Sequence, residues 1–440
     1  MTIIEQVAAA MQDLLTTLAQ RLARDTGFVQ RDSKLDGATF VQTLVFTYLA
    51  DPDATLDQLA QTAAALNVEI TPAGLTQRFT QAAATFLQAV LALAVQRVLA
   101  AERLAIPILE QFAGVFIEDS TIIVLPDALR DLWHGCGNAT EQGDAAVKLT
   151  LRLDLLTGQL AGLSLHDGRV HDSRAAHPVT SLPKESLYLA DLGFFRLERL
   201  HQIDAQGGFF LSRLQAHTTV FDASGTRWDD LAALLATQAA SVDLSVTLGV
   251  RDRLPVRLIA VRVPQEVADQ RRRRLRAEAR RRGKSVSARH LALADWTIFI
   301  TNAPVTRLPL SAVLVVARAR WQIELLFKCW KSHGHIDESR SGKPWRVICD
   351  VYAKLLAMLV AHWLSLISLW AYPDRSLAKA VMTVQKYALQ LAGGLWSQTR
   401  TLESLETIAR VLAAGCRMNP RRKEPNTYQL LLAVSEHILA

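Results

Sequence analysis

The chain has 440 residues, half of them hydrophobic and 21% charged, with a formal net charge of +7. That length has room for roughly two to four domains around a large core, and a pI near 9.4 favours a polyanionic partner without naming one. Cys136, Cys329, Cys349 and Cys416 form no C-x-x-C pair and no zinc spacing, which excludes a disulfide scaffold and reads as free thiols in a reducing cytoplasm. The first residues, M-T-I-I-E-Q-V, lack the basic start of a secretory signal.

Residues 1–105 are rich in Ala, Leu and Gln and predict helices. The stretch T-L-D-Q-L-A-Q-T-A-A-A-L-N-V-E-I-T-P-A-G-L-T-Q-R-F reads as helix, turn, helix, with Thr55 as N-cap and Pro72 in the next first turn. Two readings stand: a bundle packed on a core, or a DNA-end-binding element. In the second, Thr76, Gln77 and Arg78 face DNA while Arg21, Arg24, Arg31 and Lys34 meet phosphates.

Residues 110–215 predict alternating strands. Asp119 lies inside G-V-F-I-E-D-S-T-I-I-V-L, among β-branched and aromatic residues. Ala145–Leu156 alternates Val147, Leu149, Leu151 and Leu153 against Lys148, Thr150 and Arg152, and Thr157-Gly158 turns it into Gln159–His166, a hairpin. Asp191 ends the apolar run Leu187–Ala190, and Gly208–Leu214 forms another strand that carries Arg213. Leu244–Pro264 is β-rich and leads to Q-R-R-R-R-L-R-A-E-A-R-R-R-G-K, in which Arg271, Arg272, Arg273 and Arg274 are consecutive. That run is either a solvated helix face or a nucleic-acid contact. Trp296 opens the strand W-T-I-F-I-T-N, a usual place for a core tryptophan.

Arg318–Ser332 predicts a helix. Arg320, Glu324 and Lys331 fall within a stripe roughly 40° wide at about 100° per residue, and Ile323, Leu326, Phe327 and Trp330 make a core face. The following S-H-G-H-I-D-E-S-R-S-G-K-P-W is a polar loop, where His333 and His335 read as solvated or DNA-facing. Residues 346–440 are helical; Tyr352–Trp370 is apolar but holds Lys354 and His362, so a buried helix is expected and no membrane span. M-N-P-R-R-K-E-P-N makes a basic loop near the end.

A carboxylate ending a buried strand demands a cation. Asp119, Asp191 and Glu324 together would offer the hard oxygen ligands that Mg²⁺ prefers. Two such ions shared by three carboxylates suit phosphodiester chemistry.

At these residues the chain resembles insertion-sequence transposases of the DDE type, in the group with a Y-x₂-R-x₃-E-x₆-K signature. Arg320, Glu324 and Lys331 match R, E and K, whereas Ala317 stands at the tyrosine position. D-S-T after Ile117-Glu118, A-D-L-G-F at 190–194 and W-Q-I-E-x-x-F-K-x-W-K are similar to the family's blocks, over roughly residues 110–370.

The resemblance implies an α/β fold: a ribonuclease-H-like catalytic core with a β-rich insertion, flanked by N- and C-terminal helical domains. Its layout would be 1–105 DNA-end binding, 106–215 first part of the core, 216–305 insertion, 306–345 completion of the core and 346–440 helical. It implies catalytic, metal-binding Asp119, Asp191 and Glu324 with two Mg²⁺ ions (Mn²⁺ substituting). Arg320, Lys331, Arg213 and Arg271 to Arg274 would contact DNA, and Trp296 would stack on a flipped base during hairpin formation. The expected substrate is double-stranded DNA, the element's terminal inverted repeats and target, bound by a homodimer in the bacterial cytoplasm and at the nucleoid. The rival readings are a nuclease with the same core and a copy that binds DNA without cutting it.

Overall fold

The computed structural model describes the chain apart from residues 32, 33, 137–143, 229, 239, 420–424 and 440; much of the basic loop at 418–426 thus lies outside the described residues. Strands appear where β-branched and aromatic residues gather: β1 Val115–Val124, β2 Ala146–Asp154, β3 Leu160–Asp167, β4 Leu187–Ala190, β5 Phe209–Arg213, β6 Val220–Phe221, β7 Ser241–Leu248, β8 Leu254–Arg262 and β9 Trp296–Thr301. The chain divides into two units. One comprises Met1–Ala105, Ser120–Val170 and Trp321–Tyr428; the other comprises Ile106–Asp119, His171–Arg320 and Gln429–Ala440.

The first unit is built on helices. Helix Pro344–Leu366 is buried without a break from Val347 to Leu366 and packs on Gly37–Ala50 and Gln81–Val95. It is long and apolar enough to cross a membrane, yet its apolar window is wholly buried, as in a core helix. Its polar members are paired, as burial requires. Tyr48 donates to Asp350 Oδ1 at 2.5 Å, Arg346 Nε to the same oxygen at 2.7 Å, and Ser339 to Oδ2 at 2.8 Å. Burial, then the Asp350 carboxylate, raises the Tyr48 hydroxyl's pKa, so it stays a donor.

The helix–turn–helix stretch forms as expected. Leu56–Ala65 starts at Thr55 with a capping box to Gln58, and Pro72–Arg78 starts at Thr71 with proline in its first turn. The hairpin also forms, antiparallel from Val147↔Asp167 to Leu153↔Leu160, with Gly158 at φ +70°, where only glycine is unstrained. The polar positions of the alternating strand β2 do not face solvent. All nine residues are buried, Thr150 and Arg152 completely. The strand is covered on both faces, so alternation there does not mark a wet side.

In the second unit seven strands bond in the order β1-β4-β5-β9-β8-β7-β6. β1, β4 and β5 run parallel, and the remaining pairs are antiparallel. Val115–Glu118 and Leu187–Leu189 are buried, as parallel strands covered on both faces must be. The 216–305 segment supplies β6 to β9, which continue the same sheet, and helix Gln265–Arg281 carries the basic run.

Candidate active site

β1 and β4 pair in register from Val115↔Leu187 to Glu118↔Ala190. The next residue along each segment is the expected acid: Asp119, inside β1 where its pairing with β4 ends, and Asp191, just past the end of β4. Side chains at matching positions of parallel strands share a face, and their hard oxygen donors suit a divalent cation. Asp119 is part-buried, and Arg320 Nη1 lies 3.1 Å from its Oδ2, supplying the positive charge that a part-buried carboxylate on a strand needs. Asp191 is exposed; it heads the turn Leu192–Phe194 without a side-chain capping bond, which leaves its carboxylate out of the local backbone. The glycine of the A-D-L-G-F block has a local cause, since a Cβ at Gly193 would meet Asp172 Oδ2 at 2.5 Å.

The expected helix Arg318–Ser332 is two helices, Leu310–Ala319 and Trp321–Gly334, because Arg320 closes the first as its C-cap while keeping helical dihedrals. Glu324 sits in the first turn of the second helix and is half-buried. The predicted core face holds: Ile323, Leu326, Phe327 and Trp330 are all buried. Lys331 donates to the Ile122 carbonyl of β1 at 2.9 Å and pairs with Asp337 at 3.5 Å. The helix runs on to Gly334, so His333 is helical. His335 follows at φ +42° and is not simply solvated: its Nδ1 lies 3.0 Å from Asp53 and 3.6 Å from Glu338. Hydrogen bonding to His335 is the main cause lowering the Asp53 pKa, and Lys354 fixes the turn by donating to the carbonyls of His335 and Glu338.

In the second unit Arg213, Arg271, Arg274 and Trp296 line one cavity of about 920 Å³. Arg227, Trp228, Arg289, His217 and His290 join them there; these come from short separate segments, and no motif marks them in the sequence. Several guanidiniums and two indoles in one cavity suit a phosphate-bearing ring compound or strand. Burial, then the charge of Arg213, lowers the Arg271 pKa. Arg271 donates to the Trp296 carbonyl at 3.0 Å and to Thr297 Oγ1 at 2.9 Å. Arg272 pairs with Asp269 and Asp295, while Arg273 and Arg274 are exposed. Trp296 itself is 5% exposed, with Arg262 over its ring at 4.9 Å.

In the first unit Arg21, Arg24, Arg31, Lys34 and Gln77 are exposed. Arg78 is partly buried, donating to the Leu35 carbonyl at 3.3 Å and covering the Phe28 ring. It helps hold the bundle together.

Residues 110–360 match the family model described as the transposase DDE domain. The chain is similar to the transposase for insertion sequence element IS231C of Bacillus thuringiensis subsp. berliner, 28% identical over 368 residues, covering 79% of this chain and 77% of that protein. The transposase for IS231F of B. thuringiensis subsp. israelensis is 25% identical over 362 residues, covering 78% and 76%. A putative transposase, InsL for IS186A of Escherichia coli K12, is 40% identical over 103 residues, 23% of this chain and 28% of that one.

Proposed function

The chain belongs to the transposase DDE domain family and is an insertion-sequence transposase; from that premise we propose that it excises its element by cut-and-paste through a DNA hairpin, with Asp119, Asp191 and Glu324 as its catalytic acids. The observation that carries the reading is the Glu118↔Ala190 register, which sets two of the three acids side by side on parallel strands. Domains of this family use divalent metal ions. We assign here two Mg²⁺ ions, with Mn²⁺ as substitute, supplying Lewis acidity to an attacking water and to the leaving oxygen.

The protein's own groups do the rest. Arg320 and Lys331, the R and K of the Y-x₂-R-x₃-E-x₆-K signature, hold phosphate oxygens and offset transition-state charge. Each exchanges its present partner, Asp119 or Asp337, for DNA. Hydrolysis of the first strand frees a 3′-hydroxyl, which attacks the opposite strand, closing the hairpin and releasing the flanking DNA. A second water opens the hairpin and restores the 3′-hydroxyl, which then attacks the target, with no covalent enzyme intermediate. The arginine-lined cavity takes the flanking DNA, and Trp296 stacks an extruded base once Arg262 moves from its ring. The core is ribonuclease-H-like, residues 1–105 bind the terminal repeats, and a homodimer brings two ends together.

A denaturing gel of an end-carrying duplex incubated with Mg²⁺ tests the reading: hairpin-ended fragments and joined target DNA are expected. Hydrolysed ends alone would leave a nuclease. Binding without cutting would favour the inactive copy, for which Ala317 at the signature's tyrosine position speaks.

A further inference from the structure

Glu118 precedes Asp119 on β1 and is completely buried. Successive strand residues point to opposite faces, so Glu118 faces away from Asp119. Its carboxylate accepts at Oε1 from the His177 backbone N at 2.7 Å and from His177 Nδ1 at 2.8 Å. At Oε2 it accepts from the Tyr188 hydroxyl at 2.7 Å and from Arg199 Nη2 at 2.9 Å. Arg199 also lies over the Tyr188 ring at 4.9 Å.

The sources of these donors matter more than their number. Tyr188 lies on β4, three residues before Asp191, and Arg199 lies in helix Leu197–Ala205, which follows Asp191 after one short turn. One buried carboxylate on the Asp119 strand therefore grips both segments that bracket Asp191. Charge-assisted hydrogen bonds in a buried setting are strong and directional, so this hub holds the segments it joins in a fixed geometry.

The geometry points to Glu118 as a positioning residue that fixes the spacing of Asp119 and Asp191, and through it the affinity for divalent metal. This rests on the reading that those two acids bind the ion. Glu118 touches neither DNA nor ion; it acts through the two strands.

Glu118→Gln separates the halves of the hub. The amide oxygen still accepts from His177, but the amide nitrogen now confronts Arg199, which has only donors. The grip on the helix that follows Asp191 is lost, while the Tyr188 hydroxyl turns to accept from the amide and His177 keeps its anchor. The test is a Mn²⁺ titration of the full chain, reading the free-ion electron paramagnetic resonance signal, beside the metal dependence of nicking on an end-carrying duplex. Groups that orient metal ligands typically alter affinity by about 10–100-fold, so Glu118→Gln should raise the Mn²⁺ midpoint by about 10-fold or more, with nicking largely restored at saturating Mn²⁺. Tyr188→Phe removes one donor and keeps the ring under Arg199; it should shift the midpoint the same way by less, and it carries the test alone if Glu118→Gln fails to fold. A folded variant with the wild-type midpoint overturns the proposal, since a purely structural role lowers thermal stability without moving metal affinity. Asp119→Asn separates the two failures. If it loses Mn²⁺ binding and nicking while Glu118→Gln binds normally, only the positioning role falls. If Asp119→Asn binds and nicks like wild type, the metal-site reading falls and takes this one with it.

Discussion

Four consecutive arginines on helix Gln265–Arg281 have unequal surroundings, and that inequality gives a quantitative prediction. Arg271 is tied to Trp296 and Thr297, and Arg272 to Asp269 and Asp295, whereas Arg273 and Arg274 are exposed. Replacing all four would mix lost packing with lost phosphate contacts. The pair Arg273→Ala and Arg274→Ala isolates the second. Each phosphate contact contributes about 0.9 to the slope of log affinity against log salt, so the double variant should lose about 1.8. Between about 50 and about 200 mM salt, a fourfold range, the wild-type advantage should then shrink by about 12-fold (4 raised to 1.8). Fluorescence anisotropy with an end-carrying duplex across that range measures it, with the thermal midpoint expected to hold. Arg272→Ala should do the reverse, lowering the thermal midpoint and keeping the slope. An unchanged slope in the double variant would make the run a solvated helix face.

Glu324→Gln should abolish cleavage and leave DNA binding intact; residual cleavage at the wild-type rate would remove Glu324 from the metal site. Trp296→Ala should spare first-strand nicking and suppress hairpins, at a packing loss of about 3–5 kcal/mol because the ring is buried. Normal hairpin yield from the folded variant would return Trp296 to a core role alone. His362 is buried beside the Gly158 carbonyl, which it meets at 2.7 Å, and burial pushes its pKa from 6.5 down to about 4. The folded form thus takes the proton less readily than the unfolded chain, so stability falls as pH drops from about 6.5 towards about 4, by about 2–3 kcal/mol. His362→Gln, which keeps a donor but gains no charge, should flatten that slope; denaturant unfolding at pH 7 and pH 4.5 compares them, and parallel slopes would contradict the assignment.

What was legible in the sequence was local. The strand around Asp119, the hairpin through Gly158, the cap at Thr55, the first-turn Pro72 and the core face of the Glu324 helix each follow from neighbours within a few residues. What was not legible depends on segments far apart in the chain. Lys148, Thr150 and Arg152 look like a wet face until the other side of β2 is covered. The break at Arg320 is invisible to periodicity, because that residue keeps helical dihedrals while ending one helix. Glu118 reads as one more charge beside Asp119, and its partners lie 59 to 81 residues downstream. Arg227, Arg289 and Trp228 join the arginine cavity only through folding.

The central claim is that Asp119 in β1 and Asp191 just past β4 cut DNA with a divalent ion. Its most direct test incubates the full chain with a linear duplex carrying the element's end, in Mg²⁺ and in EDTA, beside Asp119→Asn. The account predicts Mg²⁺-dependent nicking at the element boundary that Asp119→Asn abolishes while still binding the duplex. Nicking that persists in Asp119→Asn, or binding with no cut in either Mg²⁺ or Mn²⁺, would contradict it.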